Sequence, residues 1–100
     1  MFVVIFRARI PGLDADYAAT VGKLRDKALR EHGCLEFHAV TEGEEEVALS
    51  YWPDLEAIKA WKVRTEHLLA QSSGRARWYE SYRVEIAEIS RAYAWPEAGR

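Results

Sequence analysis

One cysteine, one methionine and three prolines stand among 100 residues. A lone thiol, Cys34, excludes an internal disulfide framework, and a reduced, cytoplasmic setting is the expectation. An excess of one charge is also missing, since 14 Lys+Arg face 16 Asp+Glu for a formal net charge of −2. Phosphate backbones call for surplus Lys and Arg, so no nucleic-acid partner is expected. No apolar run reaches the roughly 18 residues that mark a membrane span. The opening MFVVIFRAR has no basic leader and is not expected to be a signal peptide. Disorder is excluded, because 49% of the residues are hydrophobic and the net charge is small. Aromatics, by contrast, are plentiful: four Trp, five Tyr and three Phe. A domain of this size buries only about two-thirds of its unfolded surface. It carries more large apolar side chains than one small core hides, so self-association is expected.

Residues 2–10, FVVIFRARI, are β-branched and aromatic and predict a strand that Pro11-Gly12 ends. Asp14 stands where a helix N-cap belongs. Tyr17, Val21, Leu24 and Ala28 then follow at spacings of four, three and four, one apolar stripe on a helix over Asp14–His32. Gly33 suits the residue after its end. Cys34–Thr41 and Val47–Trp52 predict an antiparallel hairpin across the turn Glu42-Gly43-Glu44. Asp54 caps a second helix whose apolar face is Leu55, Ile58 and Trp61. A separate short helical piece is expected over Glu66–Gln71, before Ser72-Ser73-Gly74 interrupts the chain. Residues 82–94 predict a long last strand. The order β-α-β-β-α-β is the ferredoxin-like α+β pattern, a four-stranded antiparallel sheet with both helices on one face. The domain spans residues 1–94, and 95–100 form a tail.

Period two sorts the strands into faces. Phe2, Val4, Phe6 and Ala8, with Leu35, Phe37, Ala39, Val47, Leu49, Tyr51, Tyr82, Val84 and Ile86, form an apolar face for the helices. Val3, Ile5, Arg7, Glu36, His38, Val40, Ser50, Trp52, Arg83, Glu85 and Ile89 form a mixed face that one chain leaves uncovered. A second copy packing sheet on sheet is the simplest closure, against a plainly solvated face. Trp61, Trp78, Tyr51, Tyr79 and Phe37, with Tyr82 on the same face, are candidates to line an apolar pocket; ordinary core is the alternative. His67, near the start of the short helical piece, is a candidate base, or simply a half-exposed histidine. Glu36 and His38 share a strand face, but no third ligand accompanies them, so no metal site is expected and a charge network with Arg7 or Arg83 is. Arg75, Arg77 and Arg83 cluster in sequence, either toward an anion or as a solvated loop. No phosphate loop, dinucleotide fingerprint or serine-hydrolase elbow occurs.

Taken together, Ser50-Tyr51-Trp52, Asp54-Leu55-Glu56-Ala57, Ala60-Trp61, Glu66-His67, Ala70-Gln71, Gly74-Arg75 and Tyr82-Arg83-Val84 resemble the antibiotic biosynthesis monooxygenase family. The resemblance runs from about Met1 to Tyr93. It implies a dimeric α+β barrel of two ferredoxin-like protomers, with a pocket inside each between helices and sheet. It also implies a cofactor-independent monooxygenase that oxidises a small aromatic (a quinol, phenol or anthrone-like compound) with dioxygen. Trp61 and His67 would be its catalytic residues, with Phe37, Tyr51, Trp78 and Tyr82 holding the substrate. Relatives that degrade haem carry an Asn and a His where this chain has Arg7 or Ala8 and Gln71. The other outcomes are a non-enzymatic dimeric barrel that binds a small aromatic ligand, and an interaction module whose pocket is closed.

Overall fold

The computed structural model describes residues 1–12, 14–72 and 78–96. Its elements run β1 (Phe2–Arg9), α1 (Ala15–Glu31), β2 (Glu36–Glu42), β3 (Glu45–Trp52), α2 (Leu55–Ser72) and β4 (Ser81–Glu88). The four strands make one sheet in the order β2-β3-β1-β4, every neighbouring pair antiparallel. This is the expected β-α-β-β-α-β arrangement.

Local chemistry explains the boundaries. The Asp14 carboxylate accepts the Tyr17 backbone N–H at 2.8 Å, an N-cap that starts α1. Gly33, at φ +78°, turns the chain out of the helix, a conformation that glycine adopts without strain. Gly43, at φ +61°, does the same in the two-residue connection of the β2–β3 hairpin. The Asp54 carboxylate caps α2 by accepting the Ala57 N–H at 2.8 Å.

Three expectations are corrected. First, α2 is one helix through Ser72 and not two pieces. No Pro or Gly lies between Leu55 and Ser72, so nothing breaks the backbone hydrogen-bond ladder there. Second, the last strand stops at Glu88 rather than at residue 94. Among the described residues its only partner is β1, and the Ile89 N–H to the Met1 carbonyl, 2.9 Å, follows the last paired rung, Phe2 opposite Glu88. Third, the faces of β3 are exchanged. Phe2 stands opposite Trp52 and Val4 opposite Ser50, so Glu46, Ala48, Ser50 and Trp52 face the helices. Val47, Leu49 and Tyr51 lie with Val3, Ile5 and Val40 on the other face. VALSYW is apolar or small at both parities, so alternation inside the strand could not choose; the pairing with β1 does. The expected interruption at Ser73-Gly74, the cluster residues Arg75 and Arg77, and the end of the tail at 97–100 lie outside the described residues.

The core is divided. Val4, Ala28, Cys34, Trp52 and Ile58 form one buried cluster, with Phe2, Phe37 and Trp61 packed against it. Ala8, Ile10, Tyr17 and Trp78 form the other, with Phe6, Val21, Leu69 and Tyr79 beside it. Between the two the helices do not close on the sheet, and that gap is the site described next.

Candidate functional site

The gap is a cleft of about 500 Å³. Its floor is the helix side of the sheet: Val4 and Phe6 from β1, Ala48 and Ser50 from β3, Val84 and Ile86 from β4. Its roof is Val21 and Leu24 of α1 with Ile58, Trp61, Thr65 and Leu69 of α2. These residues reach one place because α1 and α2 cross the same sheet face, and because β4 extends the floor beyond the helices. All of β4 is exposed in consequence. The third of the earlier outcomes, a closed pocket, does not hold.

One aromatic wall is held firmly. The Trp61 indole N–H donates to the Leu24 carbonyl at 3.3 Å, which ties α2 to α1. The same ring packs on Trp52, 5.2 Å between centroids, and edge-on to Phe37 at 6.2 Å. Trp52 is fully buried, and its indole N–H donates to Ser50 Oγ at 2.9 Å. Tyr79 and Tyr82 stand on the opposite wall, 5.6 Å apart and each near Phe6.

Polar groups are few and concentrated. Glu46 is only 7% exposed, although it carries a carboxylate, and it lines the cleft. A buried carboxylate needs hydrogen bonds to replace its water. The Tyr17 hydroxyl donates one to Glu46 Oε2. Burial first, then the neighbouring Glu46 and Tyr79, hold the Tyr17 phenol far above its ordinary range, so it remains a donor. Burial also raises Tyr79, and its neighbour Tyr17 partly offsets the shift. Tyr79, Tyr17 and Glu46 thus follow one another from the cleft wall inward, the two phenol rings edge-on at 5.9 Å and the Tyr17 hydroxyl on Glu46. Glu46 also borders a second crevice of about 360 Å³, shared with Tyr17, Asp14 and Arg25. At the cleft mouth Lys62 and Glu66 form an exposed pair at 3.7 Å.

The structure brings together four of the seven residues singled out from sequence: Trp61, Phe37, Tyr79 and Tyr82 all line the cleft. Tyr51 lies on the far face of the sheet, where the register of β3 places it. Trp78 is buried 5.3 Å from Tyr17 in the neighbouring core cluster, with its indole N–H on Asp14 at 3.4 Å, and it is not among the lining residues. His67 is exposed on α2 and does not line the cleft, whereas its neighbour Glu66 does. Glu46 falls between the expected turn Glu42-Gly43-Glu44 and the expected strand Val47–Trp52, whereas the strand in fact begins at Glu45. A glutamate two residues before Ala48 and four before Ser50, on one strand parity, is the signal that would have found it. On the far face Glu36 pairs with His38 at 3.0 Å and Arg83 with Glu85 at 3.5 Å.

Comparisons with known proteins agree with this architecture. A family model described as antibiotic biosynthesis monooxygenase matches residues 1–73. An uncharacterised Bacillus subtilis protein, YqjZ, is 33% identical over 97 residues, covering 96% of this chain and 85% of that one. The jasmonate monooxygenase ABM of Pyricularia oryzae is 27% identical over 94 residues, covering 90% of this chain and 44% of that protein. The crystal structure of SnoaB, a cofactor-independent oxygenase from Streptomyces nogalater, superposes with a TM-score of 0.74 at 13% identity, covering 96% of this chain and 97% of that one. With the family model matching most of its length and a relative one-third identical across nearly all of it, the chain belongs to the antibiotic biosynthesis monooxygenase family.

Proposed function

We propose that the protein is a cofactor-independent monooxygenase that oxidises a small phenolic, quinol or anthrone-like substrate with dioxygen. The observation that carries this reading is a buried carboxylate, Glu46, in the wall of a largely apolar, aromatic-lined cleft of about 500 Å³. Family membership supports the reaction class. Volume and lining suit a planar ring system of two or three fused rings.

In this reading Trp61 and Phe37 flank the ring on one side and Tyr82 on the other. Glu46 removes the acidic proton, with Tyr17 donating to the carboxylate and fixing its orientation. It takes the role first considered for His67, because His67 is exposed and away from the cleft. For an anthrone the step balances without any helper. Loss of a C–H proton leaves a delocalised carbanion, which reduces dioxygen and bonds to it. The peroxide formed takes up the proton. Loss of the second C–H proton with cleavage of the O–O bond gives the ketone and one water. One oxygen atom enters the product and the other leaves as water, so all four electrons come from the substrate carbon.

Oxygen uptake with anthrone and with 1,4-dihydroxynaphthalene is the test. The protein should accelerate uptake, Glu46→Gln should lower kcat by about 100-fold or more, and Trp61→Phe should act mainly on KM. No protein-dependent uptake with either compound overturns the reading. Thermal stabilisation by the same compounds without uptake identifies a non-enzymatic binder instead.

The proposal extends to the assembly. Val3, Ile5, Leu49 and Tyr51 are half-buried and Val40 is 69% exposed, together on a sheet face that no described residue covers. A second copy packed there in a cytoplasmic homodimer removes that surface from water. A solution mass equal to one chain at micromolar concentration contradicts it.

A further inference from the structure

We infer that Glu46 is served from two sides: the substrate reaches it through the cleft, and solvent protons reach it through the crevice beneath α1, so that the base exchanges its proton while the substrate stays bound. The inference rests on Glu46 being the base, as proposed above.

β2 and β4 are the two outer strands of the sheet, and β3, which carries Glu46, lies next to β2. The cleft draws on α2 and β4 and opens over the β4 edge, where Tyr82, Val84 and Ile86 are exposed. The crevice draws on α1 and β2 instead: Ala18, Gly22 and Arg25 border it from the helix, and Ala39 and Thr41 from the strand. Apart from Gly22 these residues are exposed, so the crevice opens to water on the β2 side. Two mouths at opposite edges of the sheet thus lead toward one place. The described residues common to both are Val21, Phe37 and Glu46, and Glu46 is the one ionisable group among the three.

The carboxylate is within reach of the crevice as well as the cleft. Its Oε2 takes the Tyr17 hydroxyl, and Tyr17 lines the crevice and not the cleft. A volume of about 360 Å³ has room for several water molecules. A carboxylic acid passes its proton to such water directly or across one bridging group.

The helix wall of the crevice is kept low. Gly22 stands in the middle of α1, where glycine costs helix stability relative to alanine. No close packing demands it, because a Cβ there would meet nothing within 4 Å. What the missing side chain leaves is open space in the crevice that Gly22 lines. The proton step is an exchange and balances by itself. A substrate C–H proton moves to Glu46, Glu46 passes it to water in the crevice, and a solvent proton returns by the same route to the carbanion. Nothing is oxidised until dioxygen reacts.

The experiment follows anthrone under argon in D2O, reading deuterium at its methylene carbon by mass spectrometry, and then follows oxygen uptake in air. The wild-type protein should incorporate deuterium faster than buffer alone. Gly22→Leu fills the crevice with a good helix former. It should lower protein-dependent incorporation severalfold. Anthrone affinity, read by calorimetry under argon, and oxygen uptake should stay unchanged, since a carbanion trapped by dioxygen needs no solvent proton. Should Gly22→Leu fail to fold, Ala39→Leu closes the same crevice from β2. A plugged variant with wild-type incorporation overturns the inference, because the protons then travel through the cleft. So does one that loses incorporation, affinity and oxygen uptake together, since crevice and cleft then do not act separately. A wild-type protein that takes up oxygen yet incorporates no deuterium overturns the inference alone. Absence of both overturns Glu46 as the base, and this inference with it.

Discussion

The two halves of the core are built differently. Around Trp52 the packing is apolar: Val4, Ala28, Cys34 and Ile58 close on the indole, and its one polar atom is satisfied locally by Ser50. Around Trp78 the packing is threaded with polar groups. Tyr17 meets Glu46 and Tyr79, and the indole meets Asp14. The first half derives its stability from exclusion of water and close contact, the second from hydrogen bonds that must all be made. The cleft opens between them, with its aromatic clamp on the apolar half and its carboxylate on the polar half. A site assembled in this way borrows rigidity from one side and chemistry from the other.

The largest expected effect is in the apolar half. Trp52→Ala should cost about 3–5 kcal/mol of stability in urea unfolding, as large-to-small changes of fully buried aromatics do. A loss under about 1 kcal/mol would show that this half is not the anchor. In the polar half Tyr17→Phe retains the ring and removes the donor to Glu46. It should cost about 1–3 kcal/mol, the consequence of a buried acceptor deprived of its partner. An unchanged unfolding midpoint would mean that the two halves do not differ in kind.

A smaller effect separates the halves by pH. Burial raises the Cys34 thiol above its ordinary 9.0, and burial likewise raises Tyr17 and Tyr79 above 10.0. Each group keeps its proton longer in the folded state than in the unfolded one. Its contribution is therefore complete below the unfolded value and is lost as pH rises past it. Stability should fall first above pH 9.0 through the apolar half, then above 10.0 through the polar half. Unfolding midpoints measured across this range check the order: Cys34→Ala should flatten the earlier decline and Tyr17→Phe the later one. A Tyr17→Phe protein with an undiminished later decline removes the distinction.

Much of this could be read from residues. The caps Asp14 and Asp54, the turn glycines and the Tyr17–Val21–Leu24–Ala28 stripe are local signals, and local signals determined the element order and the fold class. Trp61, Phe37 and Tyr82 were legible as pocket residues because bulk and period place them beneath the helices. What failed was information carried by pairing. Val47–Trp52 has two equally apolar parities, so only its hydrogen bonds to β1 decide that Trp52 and Ser50 face inward and Tyr51 outward. Glu46 lies one residue before the expected start of that strand, and its pairing with Ala8 places it inward.

The strand order has a further consequence, in time rather than in space. β1 is the first strand made and lies in the interior of the sheet, between β3 and β4. One of its edges is satisfied by the hairpin strand that follows soon after. The other waits for Ser81–Glu88. Until Ser81–Glu88 has been made, that edge of Phe, Val and Ile stays bare, the kind of surface that pairs with the wrong partner. β4 completes the cleft floor and, in the same step, ends that exposure.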